Sequence, residues 1–233
     1  SIFFLAKENL IRVKFKKSVT YDILLFTLPL FPHTVANTFI FTVDKIILSS
    51  HSVDLLGQVV VCLLLFSPIA IIAQSINQAF LPWTMKKIHE KKIGEFSAGS
   101  HIIVHLYLFT SISYLFVLHI FSSSLLGDIY NELTQYVYLG IIYYGFDLCY
   151  LTVSKVITYK EKTSYLSFVS VPTAIIFLLF LYFYEDISLH EYFLSLIVLS
   201  IVKLLVGVLI SSKQIKVCYF KLDVFFVIIK MYT

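Results

Sequence analysis

Charged side chains are scarce in this chain: only 14% of its 233 residues are Asp, Glu, Lys or Arg, whereas 59% are hydrophobic. Water-soluble domains contain about 25% charged and about 45–50% apolar residues. The shortage therefore excludes an ordinary soluble protein and indicates a polytopic membrane protein. Glycine and proline are also few, with seven and five copies, which excludes a collagen-like or disordered chain.

Metal-binding patterns and long loops are also missing. The three cysteines have neither the spacing of a disulfide framework nor that of a zinc site. His101 and His105 lie four residues apart but have no third ligand in sequence, so no metal and no catalytic residue are predicted. The loops between apolar segments are too short to hold a soluble domain, which excludes most classes of enzyme. Basic residues are dispersed over several loops, which argues against nucleic-acid binding.

Six windows with no charge or a single charge predict six membrane-spanning helices, because about 20 apolar residues cross a bilayer. The windows are too long and too uniformly apolar for the strands of a membrane barrel. The predicted fold class is therefore all-α, a polytopic transmembrane helix bundle. The predicted spans are residues 21–43, 55–80, 96–121, 133–156, 164–184 and 190–211.

The residues outside this transmembrane lobe, which covers 21–211, are expected to be cytoplasmic. Residues 1–20 form a cytoplasmic amphipathic connector in this interpretation, of a kind that normally follows another segment. We therefore expect the chain to be a fragment or one half of a larger protein. Residues 212–233 contain an apolar run only at 224–229, which is too short to span, so we expect a cytoplasmic or interfacial tail.

Basic residues mark alternate loops, and positive charge is retained on the cytoplasmic side of a membrane. The pattern predicts that both chain ends are cytoplasmic. Acidic residues prevail in the other three loops. The basic residues precede the first span and follow the second, fourth and sixth, at Lys7, Arg12, Lys14, Lys16, Lys17, Lys86, Lys87, Lys91, Lys92, Lys155, Lys160, Lys162, Lys213, Lys216 and Lys221.

The first span carries a polar stripe. With 100° between successive helical residues, His33, Asn37 and Asp44 fall with Pro29 in a stripe about 80° wide. Charged groups at the bilayer centre cost at least about 2.5–3.5 kcal/mol each, so the stripe is expected to face protein or water. One interpretation is a path for a ligand, and the alternative is a seam between helices.

Further polar groups lie in the second, fourth and sixth spans. Two of these spans carry polar stripes, and the acid within the fourth span is a functional candidate because deep acids are costly. Lys203 of the sixth span either extends to the cytoplasmic surface or enters a cavity. Three polar stripes together predict a water-filled cavity between helices. The predicted substrate and ion pathway consists of His33, Asn37, Asp44, Gln74, Gln78, Tyr143, Asp147, Tyr150 and Lys203.

The segment "LPLFPHTVANTFIFTVDKIIL" resembles the seventh helix of polysaccharide (O-antigen type) flippases, in the multidrug/oligosaccharidyl-lipid/polysaccharide exporter superfamily. Those proteins carry Leu-Pro early in this helix, as at residues 28–29, and Asp followed by Lys or Arg at its outer end, as at 44–45. A glycine then opens the next helix, as at Gly57, and a proline precedes a basic loop, as at Pro82. The segment "YKEKTSYLS" resembles their link between the tenth and eleventh helices. The chain departs from them at Val59, where a tyrosine is common.

The resemblance implies a C-terminal six-helix half, one lobe of a two-lobe transporter in the bacterial inner membrane. Such a transporter would flip undecaprenyl-diphosphate-linked oligosaccharide units for O-antigen or related lipopolysaccharide synthesis, by alternating access. It implies coupling to H⁺ or Na⁺ without another cofactor. The implied partners are the lipid-linked oligosaccharide, membrane lipids, and a missing N-terminal six-helix half or partner chain.

Two other functions remain open at this stage. A multidrug or other small-molecule exporter of the same superfamily would use a similar polar cavity. A membrane-embedded glycan polymerase or acyltransferase is less favoured, because such chemistry needs arginines or a catalytic histidine beside a large outer loop. The only arginine, Arg12, lies in the predicted cytoplasmic connector. We therefore predict a transporter and not an enzyme.

Overall fold

The structure is a computed structural model that describes residues 17–184 and 186–215. The residues it describes are helical apart from short connections, and none of them forms a strand. Residues 1–16 of the predicted connector and 216–233 of the predicted tail lie outside the described residues. The helices are α1 (Lys17–Thr27), α2 (Leu30–His51), α3 (Val53–His89), α4 (Ile93–Asn131), a 3₁₀ turn (Glu132–Tyr136), α5 (Val137–Tyr159), α6 (Ser164–Phe183) and α7 (Leu189–Ile215).

The predicted all-α fold class is confirmed. Each of the six predicted spans coincides with a helical stretch that is long and apolar enough to cross a membrane, and the chain is a multi-pass membrane protein. The largest difference in length is in the second span, which was predicted to end at residue 80. The six stretches are Ile23–His51, Val53–His89, Gly94–Phe121, Glu132–Tyr159, Ser164–Phe183 and Leu189–Ser212.

The first span is interrupted by a turn at Leu28 and Pro29, between α1 and α2. Proline has no N–H, so Pro29 cannot donate to the carbonyl one helical turn earlier. Hydroxyl groups at the start of α6 donate hydrogen bonds to carbonyls at this turn. Thr163 donates to Phe26 O at 2.9 Å, and Ser167 donates to Pro29 O. Two backbone carbonyls at the turn thus have side-chain donors from the protein, which is favourable where no water is available.

Proline does not end α3, although Pro68 and Pro82 both lie inside it. Pro68 leaves the carbonyl of Leu64 without its helical donor, and Ser67 Oγ donates to this oxygen at 2.7 Å. The next carbonyl, Leu65 O, accepts from the hydroxyl of Tyr114 on α4, also at 2.7 Å. These local and neighbouring hydroxyls allow the helix to continue past its prolines.

The fourth span forms the centre of the bundle. Helix α5 packs against α3 and α7 along much of its length and also contacts α4 and α6, while α2 packs along α6. Close approach depends on Gly140, because a Cβ there would lie 2.5 Å from the ring of Phe66 on α3. Helix α7 packs against α5, and the α2–α6 pair lies beside α7. This arrangement directs one side of α2 into the bundle.

The α3–α4 and α5–α6 turns lie at one end of the bundle, which we call the basic end. His89 Nδ1 lies 2.9 Å from the Tyr159 hydroxyl, which joins the ends of α3 and α5 there. Both turns contain a non-glycine residue with positive φ, Lys91 at 56° and Glu161 at 57°. Lysines 86, 87 and 92 form ion pairs with nearby glutamates, and the hydrogen bond from Lys92 lowers the pKa of exposed Glu90.

Candidate functional site

A chain of hydrogen bonds links three helices near the middle of the bundle, and we call it the central network. It consists of Ser170 on α6, His33 and Asn37 on α2, and Lys203 on α7. Lys203 Nζ donates to Asn37 Oδ1 at 2.9 Å. Asn37 Nδ2 lies 3.3 Å from His33 Nε2, and His33 Nδ1 lies 2.6 Å from Ser170 Oγ. Lys203 is about 18 Å from the nearer end of α7, so the network lies at mid-membrane depth.

The directions of these bonds determine the protonation of His33. An ammonium group can only donate, so Asn37 Oδ1 accepts from Lys203 and the amide nitrogen of Asn37 is directed at His33. His33 Nε2 must then accept, and the ring is neutral with its proton on Nδ1, from which it donates to Ser170. His33 therefore orients Asn37, and Asn37 holds Lys203.

Two side chains of α5 lie beside the central network. Asp147 is half-buried within electrostatic range of the Lys203 ammonium, yet no ion pair joins the two in the part of the chain that the structure describes. Tyr150 is only 3% exposed and lies close to Ser170 and Asp147. Its hydroxyl makes no hydrogen bond of ordinary geometry to any described group. The centre thus contains a carboxylate and a phenol oxygen with unused bonding capacity.

Lys203 and Lys155 are both buried inside the bundle, which their positions in the sequence alone did not establish. Lys203 does not extend to the membrane surface, since it is 5% exposed and bonded to Asn37. Lys155 was counted with the basic loop after the fourth span, although the predicted span of 133–156 includes it, and that count was wrong. Lys155 lies within α5, is also 5% exposed, and donates to the carbonyl of Asn77 on α3 at 3.2 Å. The helix continues to Tyr159, which carries Lys155 inward.

Asp44 lies further along α2, near the end of the bundle opposite the basic end. Its carboxylate is fully buried and accepts from the Tyr192 hydroxyl of α7 at 2.5 Å and from the backbone N–H of Lys45 at 2.6 Å. The Lys45 ammonium donates instead to Phe41 O at 2.8 Å. Tyr143 lies within electrostatic range of Asp44 and Asp147, between the two polar levels. Asp44 therefore joins α2 to α7 as well.

Gln74 and Gln78 of α3 do not belong to either group. Both side chains are exposed on the outside of the bundle and make no hydrogen bond within the described residues. Gln74 lies about 22 Å from the end of α3 at His89, well inside the apolar stretch. Six of the nine predicted pathway residues lie at the central network, beside it, or between it and Asp44: His33, Asn37, Tyr143, Asp147, Tyr150 and Lys203. Asp44 forms a second polar level. The two glutamines face outward.

Sequence reasoning missed Ser170 and Tyr192, the partners of His33 and Asp44. A signal for Ser170 was present in the sequence, because Thr163, Ser167 and Ser170 recur at helical spacing. In the structure all three contact the first span. Tyr192 carried no such signal, because a tyrosine near the end of a span is common at membrane interfaces.

A groove of about 500 Å³ lies between α6 and α7, and none of the residues of the central network lines it. Its walls are almost entirely apolar, with Phe177, Phe180 and Leu199 among them. Such walls suit hydrocarbon and offer sugars few hydrogen bonds. The candidate site is therefore the polar centre shared by α2, α5, α6 and α7. Comparison of the chain with family models, with curated proteins and with solved structures gives no match.

Proposed function

We propose that this chain is one six-helix lobe of an alternating-access transporter that flips undecaprenyl-diphosphate-linked oligosaccharide units across the bacterial inner membrane. The polar centre at mid-membrane depth is the observation that carries the proposal. A purely structural bundle gains little from such groups, because interhelical hydrogen bonds contribute only about 0.6 kcal/mol on average. Deep ionisable residues instead mark substrate and ion pathways. The motif resemblance of α2 and α3 to O-antigen flippases supplies the substrate class.

The outward face of α3 supports a second lobe. Gln74 and Gln78 would each cost several kcal/mol if their amides faced lipid without partners. We propose that this face borders a water-filled path for the sugar head group, closed on its far side by an N-terminal half or partner chain. The lipid tail of the substrate remains in the bilayer.

Asp147 and Lys203 provide the step that couples an ion to movement. In the structure Lys203 is held by Asn37 of α2, with Asp147 of α5 nearby and unpaired among the described residues. We propose that Lys203 stays on Asn37 while Asp147 carries a proton. Loss of that proton draws the ammonium to Asp147 and releases the α2–α7 contact. His33 acts as a positioning residue, because it orients the amide of Asn37.

Export of the substrate can be measured directly. In a deletion strain, radiolabelled lipid-linked oligosaccharide should accumulate on the inner leaflet, and the chain co-expressed with an N-terminal half should restore it to the outer leaflet. Residues 1–233 alone should not. Normal oligosaccharide distribution in the deletion strain, together with increased sensitivity to drugs, would identify a small-molecule exporter instead. Full complementation by the chain alone would contradict the need for a second lobe.

The water-filled face can be tested by labelling. With the native cysteines replaced by alanine, a water-soluble maleimide should label Gln74→Cys rapidly in membranes. Phe109→Cys is the matched control, because Phe109 is 69% exposed on α4 and lies on an apolar surface. Equal, slow labelling of both variants would show that Gln74 does not border water.

A further inference from the structure

The central network has the donor set of a small cation site. Lys203 Nζ donates to the amide oxygen of Asn37 at 2.9 Å, and the carboxylate of Asp147 lies within electrostatic range of the same ammonium. Hard cations take carboxylate, amide and hydroxyl oxygens as ligands. The ring of Tyr150 on α5 would lie 3.3 Å from a Cβ at Gly207 on α7. Asp147 and Lys203 lie about one helical turn before these two residues, so they share the same α5–α7 contact. Asn37 and Asp147 thus offer, beside the Lys203 ammonium, the kinds of oxygen that a sodium ion prefers.

A second observation points to the same position. The Tyr150 hydroxyl is buried near Ser170 and Asp147 but has no hydrogen bond of ordinary geometry in the described part of the chain. A buried polar group without a partner is costly, so an oxygen left in this state requires an explanation. It provides a further ligand oxygen beside Asp147. The site therefore has more oxygen ligands than the hydrogen bonds of the protein consume.

The position is already occupied by a cation that belongs to the chain. The Lys203 ammonium is 5% exposed, and a second positive charge beside it would meet strong repulsion in a medium of low dielectric constant. The ammonium fills this position whether it lies on Asn37 or on Asp147. An alkali-metal ion can therefore bind only if the lysine side chain is removed.

We propose that Lys203 is a tethered cation that fills a sodium-type site formed by Asn37, Asp147 and Tyr150, and so prevents the chain from binding sodium there. The occupancy of the site does not depend on what the protein transports. The consequence that export proceeds without sodium rests on the proposed function.

Lys155 offers a matched control. It has the same exposure as Lys203 and also lies within a spanning helix, but its ammonium donates to a backbone carbonyl, that of Asn77. No carboxylate of the described residues lies within electrostatic range of it. Its removal should create a cavity without creating a cation site.

The test measures the melting temperature of the purified chain, residues 1–233, in lipid nanodiscs, in sodium chloride and in choline chloride at equal ionic strength. We expect no difference for the native chain, Lys203→Arg or Lys155→Ala. For Lys203→Ala, sodium should raise Tm by about 3–6 °C when it stands tenfold above its Kd. The double variant Lys203→Ala/Asp147→Asn should lose this response.

Several results would overturn the proposal. They are a sodium response of the native chain as large as that of Lys203→Ala, a folded Lys203→Ala without a response, or a Lys203→Ala that fails to fold in both media. Folding of this variant in sodium alone would support it. Export in sodium-free medium is a separate measurement. If the chain does not export without sodium, while the Tm results above are as expected, the proposed function is contradicted but Lys203 remains a tethered cation.

Discussion

Replacement of Tyr192 by phenylalanine should destabilise the bundle through one hydrogen bond. The Tyr192 hydroxyl donates at 2.5 Å to the fully buried carboxylate of Asp44. Its ring packs against Phe177 and Phe193, with centroids 6.2 and 5.1 Å away, and phenylalanine preserves these contacts. Hydrogen bonds to charged groups contribute about 1.5–3 kcal/mol. For a protein of this size the loss corresponds to a fall in Tm of about 3–12 °C.

The assay is thermal unfolding of the purified chain, followed by intrinsic fluorescence, with Tyr182→Phe as the control. Tyr182 is 62% exposed and makes no hydrogen bond within the described residues, so its variant should melt with the native chain. A double-mutant cycle with Asp44→Ala, which removes the acceptor, should give a coupling free energy of similar size to the Tyr192→Phe effect. An unchanged Tm for Tyr192→Phe, or additive effects in the cycle, would refute the α2–α7 bond.

Three other predictions concern packing, backbone and topology. Gly99→Ala should lower the free energy of unfolding by about 1–3 kcal/mol, because its Cβ would lie 1.9 Å from the Trp83 ring. Gly94→Ala on the same helix meets no atom within 4 Å and should be neutral or stabilising. Thermal unfolding of both variants checks this, and equal effects would contradict it. Lys91→Gly should raise stability by about 1 kcal/mol, because glycine adopts the φ of 56° without strain; a lower Tm would contradict it. Reporter fusions should be cytoplasmic at the basic end and periplasmic at the opposite end, and one reversed pair would refute this orientation. The fusion points are after Lys91, Lys162 and Lys216 for the cytoplasm, and after Ser50, Asp128 and Asp186 for the periplasm.

The six spans were predictable because each depends on local composition. A charge-free window such as residues 164–184 becomes a helix wherever hydrocarbon leaves no other partner for the backbone. Lys155 was misplaced for the opposite reason. Its environment is set by a carbonyl of Asn77, 78 residues away along the chain, and no local pattern identifies that partner.

The polar stripe of α2 was predictable as a set of residues, but its neighbours were not. Helical periodicity grouped His33, Asn37 and Asp44, and the cost of exposure to lipid required that they face protein or water. Which helices they meet depends on the packing of α6 and α7, so Ser170 and Tyr192 became visible only in the structure. The functional roles of the pathway residues remain predictions.

The most direct test of the proposed transport mechanism is Asp147→Asn, with surface glycan measured per molecule of membrane-inserted protein. The substitution keeps shape and hydrogen-bonding capacity but removes the charge that draws Lys203 from Asn37. We expect near-normal abundance with strongly reduced export, and a weaker defect for His33→Ala because His33 only orients Asn37. Normal export at normal abundance would remove Asp147 from the mechanism, and low abundance with unchanged export per molecule would make its role structural.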